Sequence, residues 1–185
     1  MKIGRNSKNA GFSLIELVVI IAIMAIVVGI AGMSVSVLGG RRVGKCADDL
    51  VSTVERARVL TLGKEENAIE CILSYDSAAG SYQVSVFQNG TEVSKREIGR
   101  SPIDIKVYFD GESTGYDLTQ ISGGAYTGAA SGLHLMFDRA SGAFLENTNQ
   151  AGGSIKSYCS KIEITNGSRK IEITLVGKTG KITGN

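Results

Sequence analysis

Lys8-Asn9-Ala10-Gly11-Phe12-Ser13-Leu14-Ile15-Glu16 opens an apolar run that continues to Leu38 and carries one charge, Glu16. Lys2, Arg5 and Lys8 precede it. At roughly 1.5 Å per residue, Phe12 to Leu38 makes a helix of about 40 Å. The hydrocarbon core of a bilayer is about 30 Å thick, so the run can span it with some tilt. It is longer than the apolar core of a secretory signal peptide, roughly 7 to 15 residues, and no clean Ala-x-Ala cleavage pattern follows. The three cations hold the N-terminus in the cytoplasm and put the C-terminal bulk outside. A carboxylate at the bilayer centre costs roughly 2.5 to 3.5 kcal/mol on insertion scales. Glu16 therefore needs a compensating partner or a compensating role.

A basic leader, Gly11-Phe12, Glu16 four residues after Phe12 and a long apolar helix together resemble the class III signal of type IV prepilins and pseudopilins. The resemblance implies that a prepilin peptidase cuts after Gly11 on the cytoplasmic face and N-methylates Phe12. A Gly at the cut leaves the backbone accessible. The new amine sits beside an apolar surface, and Glu16 of one subunit can neutralise the N-terminus of its neighbour. A buried charge is tolerated when paired, and the cost of an unpaired one sets subunit register. An ordinary single-span anchor with a stray Glu is the plain alternative. The run lacks the Pro that many major pilins carry, since the only proline is Pro102.

Residues 39–185 are the size of one domain. The formal charge is +2, and loss of the three leader cations brings it to −1, so the basicity is no argument for nucleic-acid binding. With 24 glycines and no tryptophan, the composition favours a loop-rich β domain. Cys46, Cys71 and Cys159 make an odd count in an exported, disulfide-permissive compartment. Cys71 and Cys159 fall in or beside predicted strands and are the favoured pair; three buried free thiols are the other outcome. No CxxC or metal-ligand spacing occurs, and no cofactor is implied.

After Gly39, Gly40 and Gly44, residues 45–62 read as an amphipathic helix that ends at Gly63. Ala47, Leu50, Val51, Val54 and Ala57 form its apolar stripe, and Glu55 and Arg58 are spaced to pair. Beyond it the chain alternates with period two. Apolar faces run through Tyr82-Val84-Val86, Ile103-Ile105-Val107-Phe109, Leu133-Leu135-Phe137, Ile162-Ile164 and Ile171-Ile173-Leu175, with a further strand over 69–75. Asn89-Gly90 and Asn166-Gly167 predict two-residue hairpins. Segments 110–132 and 147–157, rich in Gly, Ser and Thr, read as long loops and as candidate contact surfaces. The expected fold is α+β: a long N-terminal helix packed on an antiparallel domain of seven or eight strands in two sheets. Its parts are a leader (1–11), a transmembrane and filament-core helix (12–38), an amphipathic continuation (39–63) and a globular β domain (64–185).

Glu55-Arg56-Ala57-Arg58, then Leu133-His134-Leu135-Met136-Phe137-Asp138 with Ser141-Gly142, then the closing hairpin and Gly180-Lys181, resemble the H-type (GspH/FimT-like) minor pseudopilins. That resemblance implies a helix on a two-sheet β domain and a role at the tip or in initiation of a pilus or secretion pseudopilus. Its expected partners are the prepilin peptidase, other pilin or pseudopilin subunits and the assembly platform of the inner (cytoplasmic) membrane. Some such proteins bind DNA through a C-terminal Gly-Arg-x-Arg motif. Here Gly180-Lys181-Ile182-Thr183 keeps one cation of the two, which removes the bidentate phosphate grip. Arg169, Lys170, Lys178 and Lys181 remain as candidate DNA contacts, but without interleaved aromatics they read as a solvated edge. A DNA-binding minor pilin and a major pilin stay open as alternatives. The only histidine, His134, alternates with Leu133 and Leu135 and reads as a surface residue; no nucleophile motif accompanies it, and an enzymatic role is not expected.

Overall fold

The computed structural model describes residues 13–63, 69–123 and 130–184, without side chains for 30–39 and 130. One long helix, α1 (Leu14–Gly63), precedes the strands. These are β1 (Ile69–Asp76), β2 (Ser81–Gln88), β3 (Thr91–Arg100), β4 (Asp104–Phe109) and β5 (Tyr116–Asp117), then β6 (Ile121–Gly123) after a 3-10 turn over Leu118–Gln120, β7 (Ala130–Ser131) and β8 (Leu133–Met136). The last five are β9 (Asn149–Ala151), β10 (Ser154–Lys156), β11 (Cys159–Thr165), β12 (Lys170–Val176) and β13 (Lys181–Gly184). The chain groups into two units, Met1–Leu38 and Gly39–Asn185.

In the first unit every described side chain from Ser13 to Gly29 is exposed, with Leu14 and Val28 at 83% and 71%. No packing stripe exists there, as the all-round apolar sequence requires. Among the described residues, no helix is long and apolar enough to cross a membrane. The described side chains of the apolar run stop at Gly29, short of the roughly 20 residues that a span needs.

In the second unit the helix becomes one-sided. Val43, Cys46, Ala47, Leu50, Val54 and Ala57 recur at steps of one, three and four residues, and all are buried. They join one cluster with Leu73, Val84 and Leu135 of one sheet and Ile105, Val107, Ile162, Ile164 and Ile173 of another. The expected stripe is therefore the core face, except that Val51 is only half-buried and Arg58 does not pair with Glu55.

Strand order is β3-β2-β1-β8 in the first sheet and β13-β12-β11-β4-β5 in the second, antiparallel throughout. The strands of four residues or more all fall in these two sheets, and the period-two pattern finds them except β3 and β13, which show no regular alternation of buried and exposed residues. A third sheet, β10-β9-β6-β7, corrects the two-sheet expectation and the strand count, which rises to thirteen among the described residues. It is built from the two segments read as loops. They pair with each other, Ile121 with Ala151 and Ser122 with Gln150. Strands of two or three residues leave no periodicity to read. Gly123 is what lets them close: at φ +152 it faces the Thr148 carbonyl so nearly that a Cβ would sit 2.2 Å from the oxygen.

The Asn89-Gly90 hairpin forms as expected, with both residues at positive φ and Gln88 paired with Thr91. The Asn166-Gly167 turn does not. Thr165 pairs with Lys170, so four residues intervene. The Asn166 carboxamide oxygen accepts the N–H groups of Ser168 and Arg169 and widens the turn.

Leu50 is 1% exposed. Leu50→Ala is expected to lower unfolding stability by about 2 to 5 kcal/mol. Val59→Ala, at a helix position 67% exposed, should change it by no more than about 0.5 kcal/mol. Urea titration of the full chain in detergent measures both; equal effects would contradict the assignment of the core face.

Candidate functional site

Gly11 and Phe12, with Lys2, Arg5 and Lys8, lie outside the described residues. Glu16 lies inside, exposed in the first turn of α1. Ser13 precedes the helix. Its hydroxyl accepts the Glu16 backbone N–H at 3.3 Å, and its carbonyl accepts Leu17 N–H at 3.2 Å. Ser13 is thus an N-cap, and Ser13-Leu14-Ile15-Glu16 has the spacing of a capping box. A carboxylate in a first turn also interacts favourably with the helix dipole. This local role of Glu16 is legible in the Ser-x-x-Glu spacing and is separate from the intersubunit role expected of it.

The three stretches that carry the H-type resemblance meet at Arg58. Its Nε donates to the Gly142 carbonyl at 2.9 Å and its Nη2 to the Thr179 carbonyl at 2.8 Å. Phe144 N–H donates to the Gly177 carbonyl at 2.9 Å, so the 138–144 turn and the β12–β13 turn run side by side. Gly180, at φ +63, sits so tightly here that a Cβ would lie 1.7 Å from the Gly142 oxygen. The turn is fixed at its other end by Asp138, whose carboxyl is held below its usual range by the Ser141 hydroxyl and then by the Ser141 N–H. Gly180 is therefore a packing residue.

The four C-terminal cations do not form one cluster. Arg169 and Lys170 stand at the start of β12, and Lys178 and Lys181 lie beyond its end, separated by a strand of roughly 20 Å. Lys170 also donates to Glu163 and Glu172 at 2.8 and 2.9 Å, hydrogen bonds that raise its pKa and offset its charge. Arg169 donates to the Gly40 carbonyl. The sequence places these residues close in number only.

Cys46, Cys71 and Cys159 are free and buried. The Cys71–Cys159 pairing is not formed: Cys71 lies in β1 of the first sheet and Cys159 in β11 of the second. Burial, with the Glu70 charge adding, pushes the Cys71 thiol up to about 12; burial and then Asp49 do the same at Cys46. Such thiols are packing groups, since the thiolate is the reactive form. No group of three potential metal ligands occurs among the described residues.

His134 corrects the alternation argument. It is fully buried, and its Nδ1 lies 2.7 Å from Oε1 of Glu70, itself fully buried. Cys71 faces Leu135 and Leu73 faces Leu133 across β1 and β8, with the core on that side; Glu70 and His134 belong to the other face, which is dry here. β8 is the edge of its sheet, and Asn149 of β9 satisfies that edge. Its side chain accepts His134 N–H and donates to the His134 carbonyl, each at 2.8 Å. The unread third sheet is thus the physical reason that the histidine is inside.

Residues 6–32 match the family model described as the prokaryotic N-terminal methylation motif. Comparison with curated proteins and comparison with solved structures return no match. The motif is consistent with a type IV prepilin or pseudopilin, and it implies processing by prepilin peptidase and assembly with other pilin subunits. The match covers the second half of the leader and most of the apolar run and does not reach the β domain.

Removing one partner of a buried hydrogen bond leaves the other unsatisfied and costs about 1 to 3 kcal/mol. Glu70→Ala and His134→Ala are each expected to destabilise by that amount. The double variant should lose clearly less than the sum of the two. A urea-unfolding double-mutant cycle measures the coupling, and a cycle that closes additively would show that the two groups do not act as a pair.

Proposed function

We propose that this chain is a non-enzymatic subunit of a type IV pilus or of a type II secretion pseudopilus. It is made as a single-pass precursor with its N-terminus in the cytoplasm. Cleavage follows Gly11, and Phe12 becomes the N-methylated end. The carrying observation is the methylation motif at 6–32 joined to a helix whose described side chains up to Gly29 are exposed on every side and, Glu16 apart, apolar. A surface of that kind demands lipid before assembly and neighbouring helices after it. Glu16 is then the register residue, its carboxylate paired with the N-terminal amine of the next subunit.

The H-type resemblance narrows this to a minor subunit that works at the tip or in initiation. What supports it is the meeting of Arg58, Gly142 and Gly180, three stretches distant in sequence that act as one structural unit. The DNA-uptake alternative loses its support in the separation of Arg169 and Lys170 from Lys178 and Lys181.

Glu16→Ala tests the reading. Loss of a helix-terminal group alone costs about 1 kcal/mol and would leave assembly unchanged. The register role predicts normal insertion in the membrane and at least tenfold less chain in sheared filaments. Wild-type levels in filaments would refute it.

A further inference from the structure

Two turns of this chain carry the same reactive dipeptide. Asn89-Gly90-Thr91 turns β2 onto β3, and Asn166-Gly167-Ser168 lies between β11 and β12. In an Asn-Gly pair the glycine nitrogen can attack Cγ of the asparagine, because no Cβ on the glycine screens the approach. A Cγ–N bond forms as the glycine N–H proton is lost, and the Cγ–Nδ2 bond breaks. Nδ2 leaves as ammonia with that proton, and a cyclic succinimide remains. Water then opens the ring. Cleavage of the new Cγ–N bond gives Asp. Cleavage of the backbone C–N bond gives isoAsp, whose main chain runs through the former side chain and is one atom longer. Nothing is oxidised or reduced, and water is the only co-reactant.

Attack requires the turn to leave its folded torsions, so its rate follows the cost of local opening. The Asn166 turn is tied from within. The Gly167 N–H, whose nitrogen is the nucleophile, donates to the Thr165 hydroxyl at 3.1 Å. Oδ1 of Asn166 accepts Ser168 N–H and Arg169 N–H at 3.1 and 2.8 Å, which fixes the carboxamide. The Asn166 N–H and the Thr165 hydroxyl both donate to the Arg169 carbonyl at 3.2 Å. Asn166 itself is half-buried. Asn89 and Gly90, by contrast, are exposed at a hairpin tip, and opening there disturbs the Gln88–Thr91 pair at the end of the ladder.

The exposed turn also matters more to its strand. The side chains of Thr91 to Glu97 are all exposed, so burial does little to hold that part of β3. Its place is set by pairing with β2 and by the Arg96–Asp49 bridge to α1. A longer main chain at position 89 destroys the two-residue fit of the turn, and that turn fixes the register.

We infer that Asn89 is a covalent modification site of the folded protein, converted through a succinimide to isoAsp and Asp, that Asn166 is shielded by its own turn, and that conversion at Asn89 loosens the adjoining end of β3. The inference stands on the fold and does not depend on the filament reading.

Full-length chain in detergent, held at mildly alkaline pH, tests it. Peptide mass mapping reads deamidation at each asparagine, and an isoaspartyl methyltransferase labels the isoAsp product. Asn89 should convert at least about tenfold faster than Asn166, the rate equivalent of about 1.4 kcal/mol. In urea that unfolds the chain the two rates should converge, since the tripeptides are nearly identical. Thr165→Ala removes the hydroxyl that holds the Gly167 N–H; it should speed conversion at Asn166 and leave Asn89 unchanged. Hydrogen exchange of the converted chain should quicken over 91–97 and not in β11 or β12. Equal rates in the folded chain, absence of isoAsp at Asn89, or a difference that persists in urea would overturn the inference. So would an Asn166 indifferent to Thr165→Ala, or exchange in β3 unmoved by conversion.

Discussion

One helix must satisfy two different surroundings, and the molecule is organised by that requirement. From Leu14 to Gly29 the described side chains of α1 are apolar, Glu16 excepted, and uncovered on all sides. From Val43 onward the same helix has a single apolar face, and that face is the centre of the globular core. Water suits the exposed part badly, since apolar surface on that scale is costly to hydrate. The second part is satisfied within the chain. A subunit whose first half is incomplete alone and whose second half is complete alone is fitted to assembly.

The β domain achieves its completeness through a few polar fixtures. Arg58 reaches from the helix to two turns far away in sequence and satisfies a carbonyl in each. Asn149 supplies the donor and acceptor that a further strand would give the edge of β8, which also removes an open edge from the surface. Behind it the Glu70–His134 pair sits fully buried. The Asn149 contact joins the short third sheet to the first, and it accounts for a segment that composition alone reads as a free loop.

Much of this was legible before the structure. The methylation motif matched at residues 6–32 is legible from residue type and spacing. Val84, Ile105, Leu135, Ile164 and Ile173 declare their strands because one face of each is dry. What stayed hidden has a common cause. His134 was misplaced because alternation presumes that the second face is wet. The third sheet was missed because two- and three-residue strands carry no period. The four C-terminal cations were grouped because sequence proximity ignores the length of β12 between them, and Cys71 and Cys159 were paired without knowledge that separate sheets hold them. Each error concerns how distant segments meet, and single-chain periodicity contains no such information.

The central claim is that α1 becomes the N-terminal end of a processed filament subunit. Mass analysis of the N-terminal peptide of the mature chain, taken from membranes that contain the prepilin peptidase, reads it most directly. The account predicts a chain that begins at Phe12 with one methyl group on its amine. A chain that retains Gly11 and the basic leader, or begins at any other residue, would contradict it.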